Sequence, residues 1–286
     1  MFIILGIVIV LILSLAFYVS RKTTAEPQFL ERESFADYIS SCLAQTGTEG
    51  IYKIAAQGGY VNPKGDTAYG ETGDGLPVHY YLGQHQLPYV LDGNKTSMRS
   101  LSYVDTALSR YLAVELPHCL NFSFFQGQGY TVSVPTINWE DIDFDFSKAT
   151  VPYSPEGVRF SVVSRDSDVV IVAKYPVLFA KKDSSFVLSD FSTTVPLRLS
   201  LLEHTAEKLV EQISNAYSNR TAYDLFLHCA EYASSDKQVN IYATPNLYSA
   251  DYAVMLIDAA PTSQGLAPLR YQFAVRNVLF GGLCVG

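Results

Sequence analysis

The chain has 286 residues, of which 48% are hydrophobic and only 17% charged, with 20 Tyr, 16 Phe and a formal net charge of −8. Lys and Arg never cluster beyond short pairs, so a surface built for the phosphate backbone of nucleic acid is excluded. Enough chain follows the apolar start to bury one sizeable core, and no second domain is required.

Residues 2–19 form an unbroken apolar run, softened only by Gly6 and Ser14. As a helix rising about 1.5 Å per residue, the run covers roughly 27 Å, enough to cross a bilayer core. It lacks the basic start, shorter apolar stretch and small-residue cleavage site of a secretory signal. Residues 1–20 are therefore expected to remain as a hydrophobic helix in contact with membrane lipid, with Phe2, Gly6, Ile9, Leu13 and Phe17 as its anchor or assembly positions. Arg21 and Lys22 follow it, and the positive-inside rule alone would leave the rest of the chain in the cytoplasm. Three features point the other way. Glycosylation-type triplets occur at Asn94-Lys95-Thr96, Asn121-Phe122-Ser123 and Asn219-Arg220-Thr221. The cysteines Cys42, Cys119, Cys229 and Cys284 are even in number, far apart and never in CxxC spacing, which suits disulfides in an oxidising compartment. The composition is rich in Tyr, Ser, Thr and Asn. An extracytoplasmic domain on a cell membrane is the expected arrangement.

Residues 21–33 are polar, contain Pro27 and read as a linker ahead of a domain spanning 34–286. From Ser34, apolar residues at Phe35, Ile39, Cys42, Leu43, Ile51 and Ile54 recur at helical spacing up to the stop signal Gln57-Gly58-Gly59, with Gly47 and Gly50 weakening the middle. Residues 58–97 are dense in Gly, Pro, Asp and Tyr and read as a long irregular, mobile excursion with one short strand at 78–82. A second helix is predicted from Thr96 or Ser97 through Leu101, Val104, Leu108 and Leu112 until Pro117, with Cys119 just beyond its end. The period then changes to two, predicting strands at 130–135, 137–146, 157–164, 169–175 and 177–180. Helical spacing returns at Leu199, Leu202, Ala206, Leu209 and Ile213, with a shorter helix at 223–233. Strands at 239–242, 252–257 and 271–279 close the chain. The order predicts an α+β fold: a hydrophobic N-terminal helix, then a β-rich domain of mainly antiparallel sheet with several packed helices.

No catalytic signature is present, and neither an enzyme nor a cofactor is expected. His118-Cys119 and His228-Cys229 offer zinc-type ligands, but chain neighbours rarely point at one ion, so disulfides are the better reading. Four cysteines allow three pairings; Cys119 with Cys229 and Cys42 with Cys284 is the one chosen as expectation. Asp141, Asp143 and Asp145 share one face of an alternating strand, spaced about 7 Å apart, which suits a solvated face rather than calcium. The loop from Gly65 to Gly75 lacks the Lys and Ser/Thr of a phosphate cradle. There is no GxSxG and no HExxH, and His79, His85 and His204 are read as solitary structural or surface histidines.

Two groups of residues carry a likeness: the run from Phe2 to Val10, and Phe35-x-x-x-Ile39-x-x-Cys42-Leu43 leading to Gln57-Gly58-Gly59-Tyr60. Glu115-Leu116-Pro117-His118-Cys119-Leu120 and Val172-Ala173-Lys174-Tyr175-Pro176 extend it. The chain resembles uncharacterised, singly anchored surface proteins of small-genome (DPANN-type) archaea, and its start is similar to that of mature archaeal pilins. The resemblance implies a cell-surface structural protein, with self-association through the N-terminal helix and the β-rich domain coating a filament. The other expectation is a monomeric anchored adhesin or ligand-binding module, with the Tyr-rich stretch 60–90 as its contact surface. The helix discriminates the two, because a filament subunit needs it for self-packing and a tether needs only its hydrophobicity.

Overall fold

The computed structural model describes residues 26–65, 69, 78–81, 85–135, 157–182, 184–219, 239–245 and 251–278. The expected apolar helix with Phe2, Gly6, Ile9, Leu13 and Phe17 lies outside these residues, as do the expected strand at 137–146 and helix at 223–233. Among the described residues no helix is long and apolar enough to cross a membrane. Two compact units divide the chain, residues 1–41 and residues 42–286.

The first described element, α1 (Glu26–Ala56), begins well before Ser34, so residues 26–33 are helical rather than linker. Pro27 does not break it, because in a first turn the missing proline N–H has no intrahelical partner to lose. Nor do Gly47 and Gly50 end it. A Cβ on Gly50 would lie 2.6 Å from Tyr111 Cδ1 and 2.7 Å from Leu108 Cδ1, so the absent side chain lets α2 (Leu101–Cys119) approach closely. Beyond α1, Gly58 and Gly59 adopt positive φ, and Gly59 N–H returns to Ile54 O at 3.0 Å, closing the helix as the sequence predicts.

The described residues of 58–97 hold the expected short strand, β1 (Val78–Tyr81), but also β2 (His85–Asp92) and β3 (Lys95–Thr96) where an irregular excursion was expected, and Leu87, Val90 and Leu91 are buried. The hairpin to β3 keeps Ser97 N–H on Val90 O at 2.9 Å, so α2 starts later than predicted, with Ser100 at the N-cap position. Pro117 sits in the last turn of α2, whose final residue is Cys119. A short helix, α3 (Ser123–Gly127), leads to β4 (Thr131–Ser133).

The long strand β6 (Val169–Lys181) pairs with β5 (Arg159–Ser164) and β4 on one edge and with β7 (Ser184–Val195) on the other, all antiparallel. Sequence reading splits β6 at Pro176 and misses β7. Both follow from one register shift: Tyr175 and Pro176 of β6 lie between the pairs Lys174↔Asp190 and Val177↔Leu188, so Pro176 falls at a bulge and the alternation of β7 slips with it.

After α4 (Leu199–Ser218) come β8 (Val239–Pro245), β9 (Asp251–Asp258), a 3-10 turn (Ala260–Gln264) and β10 (Leu269–Arg276). These build a six-stranded sheet in the order β1-β2-β10-β9-β8, with β3 on β2. The β10–β2 pair is parallel and every other pair antiparallel, so the architecture is α+β with one mixed and one antiparallel sheet. Within residues 42–286, α2 packs on β5, α4 crosses β2, β9 and β10, and α2 touches α4, so the helices link the two sheets.

Candidate functional site

The antiparallel packing of α1 and α2 at Gly50 decides one site. Eight residues before Gly50, about 12 Å along α1, Cys42 comes level with Cys119 at the far end of α2, and the two form a disulfide with Cα atoms 5.8 Å apart. This corrects the expected partners of both cysteines; Cys229 and Cys284 lie outside the described residues. Spacing along the chain carried no information about this pairing, because the helix–helix register sets it. The acceptor asparagines are all exposed: Asn94 in the β2–β3 turn, Asn121 after α2 with Oδ1 accepting the Ser123 N–H at 3.0 Å, and Asn219 at the end of α4.

Part of the Tyr-rich stretch is interior rather than contact surface. Tyr60 and Tyr69 are buried, and Tyr69 stacks on Tyr111 with its hydroxyl donating to Glu115 at 2.6 Å. The Tyr89 hydroxyl donates to Asp251 at 2.9 Å; burial first and that carboxylate second push its pKa up to about 12.

Polar residues gather where α2, β5 and α4 meet. Asp105 of α2 accepts the Ser164 hydroxyl at 2.6 Å and the Ser164 N–H at 3.2 Å, which ties helix to strand end. Burial raises the Asp105 pKa, and the Ser164 donors oppose it. One turn of α4 carries Glu203, His204 and Glu207, whose ligand-type atoms all lie within 4.8 Å of one another. Glu203 and His204 each stand one turn from Glu207, and although chain neighbours on a helix point about 100° apart, their side chains bring the three ligand-type atoms together. The pattern Glu-His-x-x-Glu was legible in the sequence, so His204 is not solitary.

Within the cluster, the Glu203 side chain is only 2% exposed, whereas His204 is half exposed. Glu203 Oε2 is buried with no hydrogen-bond partner and lies 4.0 Å from His204 Nε2, beyond hydrogen-bond reach. Burial first, then the charges of Glu207 and Asp105, push the Glu203 pKa up to about 7. Behind the imidazole, the buried Ser200 hydroxyl donates to Asp166 Oδ1 at 3.4 Å and lies 3.3 Å from His204 Nδ1. Beside the cluster runs a groove of about 310 Å3, bounded by Glu207, Val210, Glu211 and Ser214 of α4 with Thr96 and Met98 opposite. Tyr271 is fully buried under the same region, its hydroxyl unpartnered; burial, and then the charge of Glu203, hold the phenol far above its usual range.

No protein-family model matches the chain, and neither a curated protein nor a solved structure matches it.

Proposed function

We propose that the chain is a membrane-anchored cell-surface structural protein, a pilin-like subunit that self-associates through residues 1–20 and carries its α+β domain outside the cytoplasm. The observation that carries this reading is the Cys42–Cys119 disulfide, because such bonds persist in oxidising compartments and are rare in the cytosol. The exposed Asn94, Asn121 and Asn219 agree with it. So does the apolar run of residues 2–19, long enough to span a bilayer or to line a filament core. Tyr60 and Tyr69, two residues of the contact surface expected for a monomeric adhesin, are buried, which favours the structural reading.

The test begins with material sheared from cells that make the protein. It is examined by electron microscopy, and the filament subunit is identified by peptide mass and N-terminal residue. The expected result is regular filaments of this chain, whose Cys42 and Cys119 react with a maleimide only after reduction. Thiols already free in the cell would sink the extracytoplasmic reading. Protein held in the membrane pellet with no filament containing it would sink the assembly reading alone.

A further inference from the structure

We propose that Glu203, His204 and Glu207 bind one divalent first-row cation of the zinc type, with Ser200 and Asp166 orienting the imidazole. The inference is independent of whether the chain forms filaments. It rests on the buried Glu203 Oε2, which has no hydrogen-bond partner, and on the gathering of His204 and Glu207 around it.

With its hydroxyl proton on Asp166 Oδ1 at 3.4 Å, Ser200 can accept from Nδ1–H of His204 at 3.3 Å, and in that tautomer Nε2 is free to bind a cation. Nε2 lies 4.0 Å from Glu203 Oε2. A buried carboxylate oxygen with no hydrogen-bond partner, 4.0 Å from an imidazole nitrogen, calls for positive charge between the two, carried by a proton or by a cation. A metal ion supplies it and matches the wider set, because Glu207 brings a third ligand atom and the two carboxylates neutralise a divalent charge. An imidazole held through its other nitrogen by an oxygen acceptor is the usual second layer of a metal site.

The distances come near those of a bound ion. Nitrogen and oxygen ligands each about 2.1 Å from a tetrahedral zinc are roughly 3.4 Å apart. The 4.0 Å between Glu203 Oε2 and His204 Nε2 is a little wider and must close on binding. The largest separation in the set, within 4.8 Å, closes by small rotations of the exposed His204 and Glu207 side chains. One imidazole and two carboxylates favour zinc or a neighbouring transition metal over calcium, whose ligands are all oxygen. Three protein ligands leave a fourth position to water, and Glu207 also borders the 310 Å3 groove.

Full-length protein in detergent is stripped with EDTA, dialysed, and titrated with zinc chloride by calorimetry, then with cobalt(II) for its visible absorption. The expected result is saturable uptake of one equivalent and cobalt bands of a low-coordinate nitrogen and oxygen site. His204→Ala and Glu207→Gln abolish that uptake. Ser200→Ala weakens it by roughly 10–100-fold, as losses behind a metal ligand do. Glu203→Gln removes the buried charge, so it keeps the fold and melts no lower than the stripped parent, yet takes up no metal. No saturable uptake by the parent would overturn the proposal, since a proton on His204 would then suffice. Uptake that survives His204→Ala together with Glu207→Gln would overturn it equally.

Discussion

Arg198 and Asp258 form the most enclosed ion pair among the described residues: the Asp258 side chain is fully buried, and Arg198 is 19% exposed. Both Arg198 Nε and Nη2 donate to the carboxylate, the first at 2.8 Å, and the Ala260 N–H adds a third donor at 3.0 Å. The pair thereby fixes the entry to α4 against the end of β9. Removing the guanidinium leaves a buried charge with one neutral donor, so Arg198→Ala is expected to cost about 3–5 kcal/mol in urea unfolding. Asp92 is the exposed counterpart. Hydrogen bonds from Arg276 and then Asn277, each 2.7 Å long, hold its carboxyl below the usual range. A depressed folded-state pKa stabilises the fold above the unfolded value, near 3.9, and the contribution is lost as the pH falls through the folded value. Asp92→Asn is therefore expected to flatten the acid limb of a stability–pH curve below about pH 4. The effect is smaller at high salt because the pair is open to water. Cluster residues divide in the same way: Glu203 and His204 show their helical spacing to Glu207 in sequence, whereas the Ser200–Asp166 contact joins α4 to a turn and appears only on folding.

At the level of elements, Gly50 explains why α1 was only half legible. Apolar spacing identified Leu43, Ile51 and Ile54 on the buried face, and all three are 0% exposed. The glycines looked like weaknesses because helix propensity penalises Gly by about 1 kcal/mol relative to Ala. Close approach to α2 outweighs that penalty. Gly50→Ala places a Cβ within 2.9 Å of three atoms of Leu108 and Tyr111, and is expected to destabilise by about 1–3 kcal/mol despite its better propensity. It also shifts the register that brings Cys42 to Cys119, so re-oxidation after reduction should slow. Stabilisation by Gly50→Ala, read from a urea midpoint, would mean that Tyr111 swings away freely. Strand β2 was missed for a comparable reason: Pro88 and the turn residues around it read as loop, yet β2 lies beside β10, a neighbour more than 170 residues later in the chain.

At the level of the whole molecule, that long-range pairing is what a sequence conceals. Strand and helix types followed from period except at β2 and β7, but the sheet order did not, because one parallel pair joins the first third of the chain to its end. Such closure makes folding slow, on a scale of milliseconds to seconds, and concentrates stability where the late strand inserts. Phe273 marks that place: it lies in the middle of β10, fully buried, with its ring 6.4 Å from that of Tyr271. Val187 on β7 is as apolar but 56% exposed on the outer face of the other sheet. Phe273→Ala is expected to cost about 3–5 kcal/mol by emptying a site that cannot collapse. Val187→Thr should stay within about 0.5 kcal/mol. Urea unfolding of the two variants at one pH measures the contrast. Equal losses would mean that the exposed valine face is covered in the folded protein, and a small loss at Phe273 would mean that β10 is not the strand on which the mixed sheet depends.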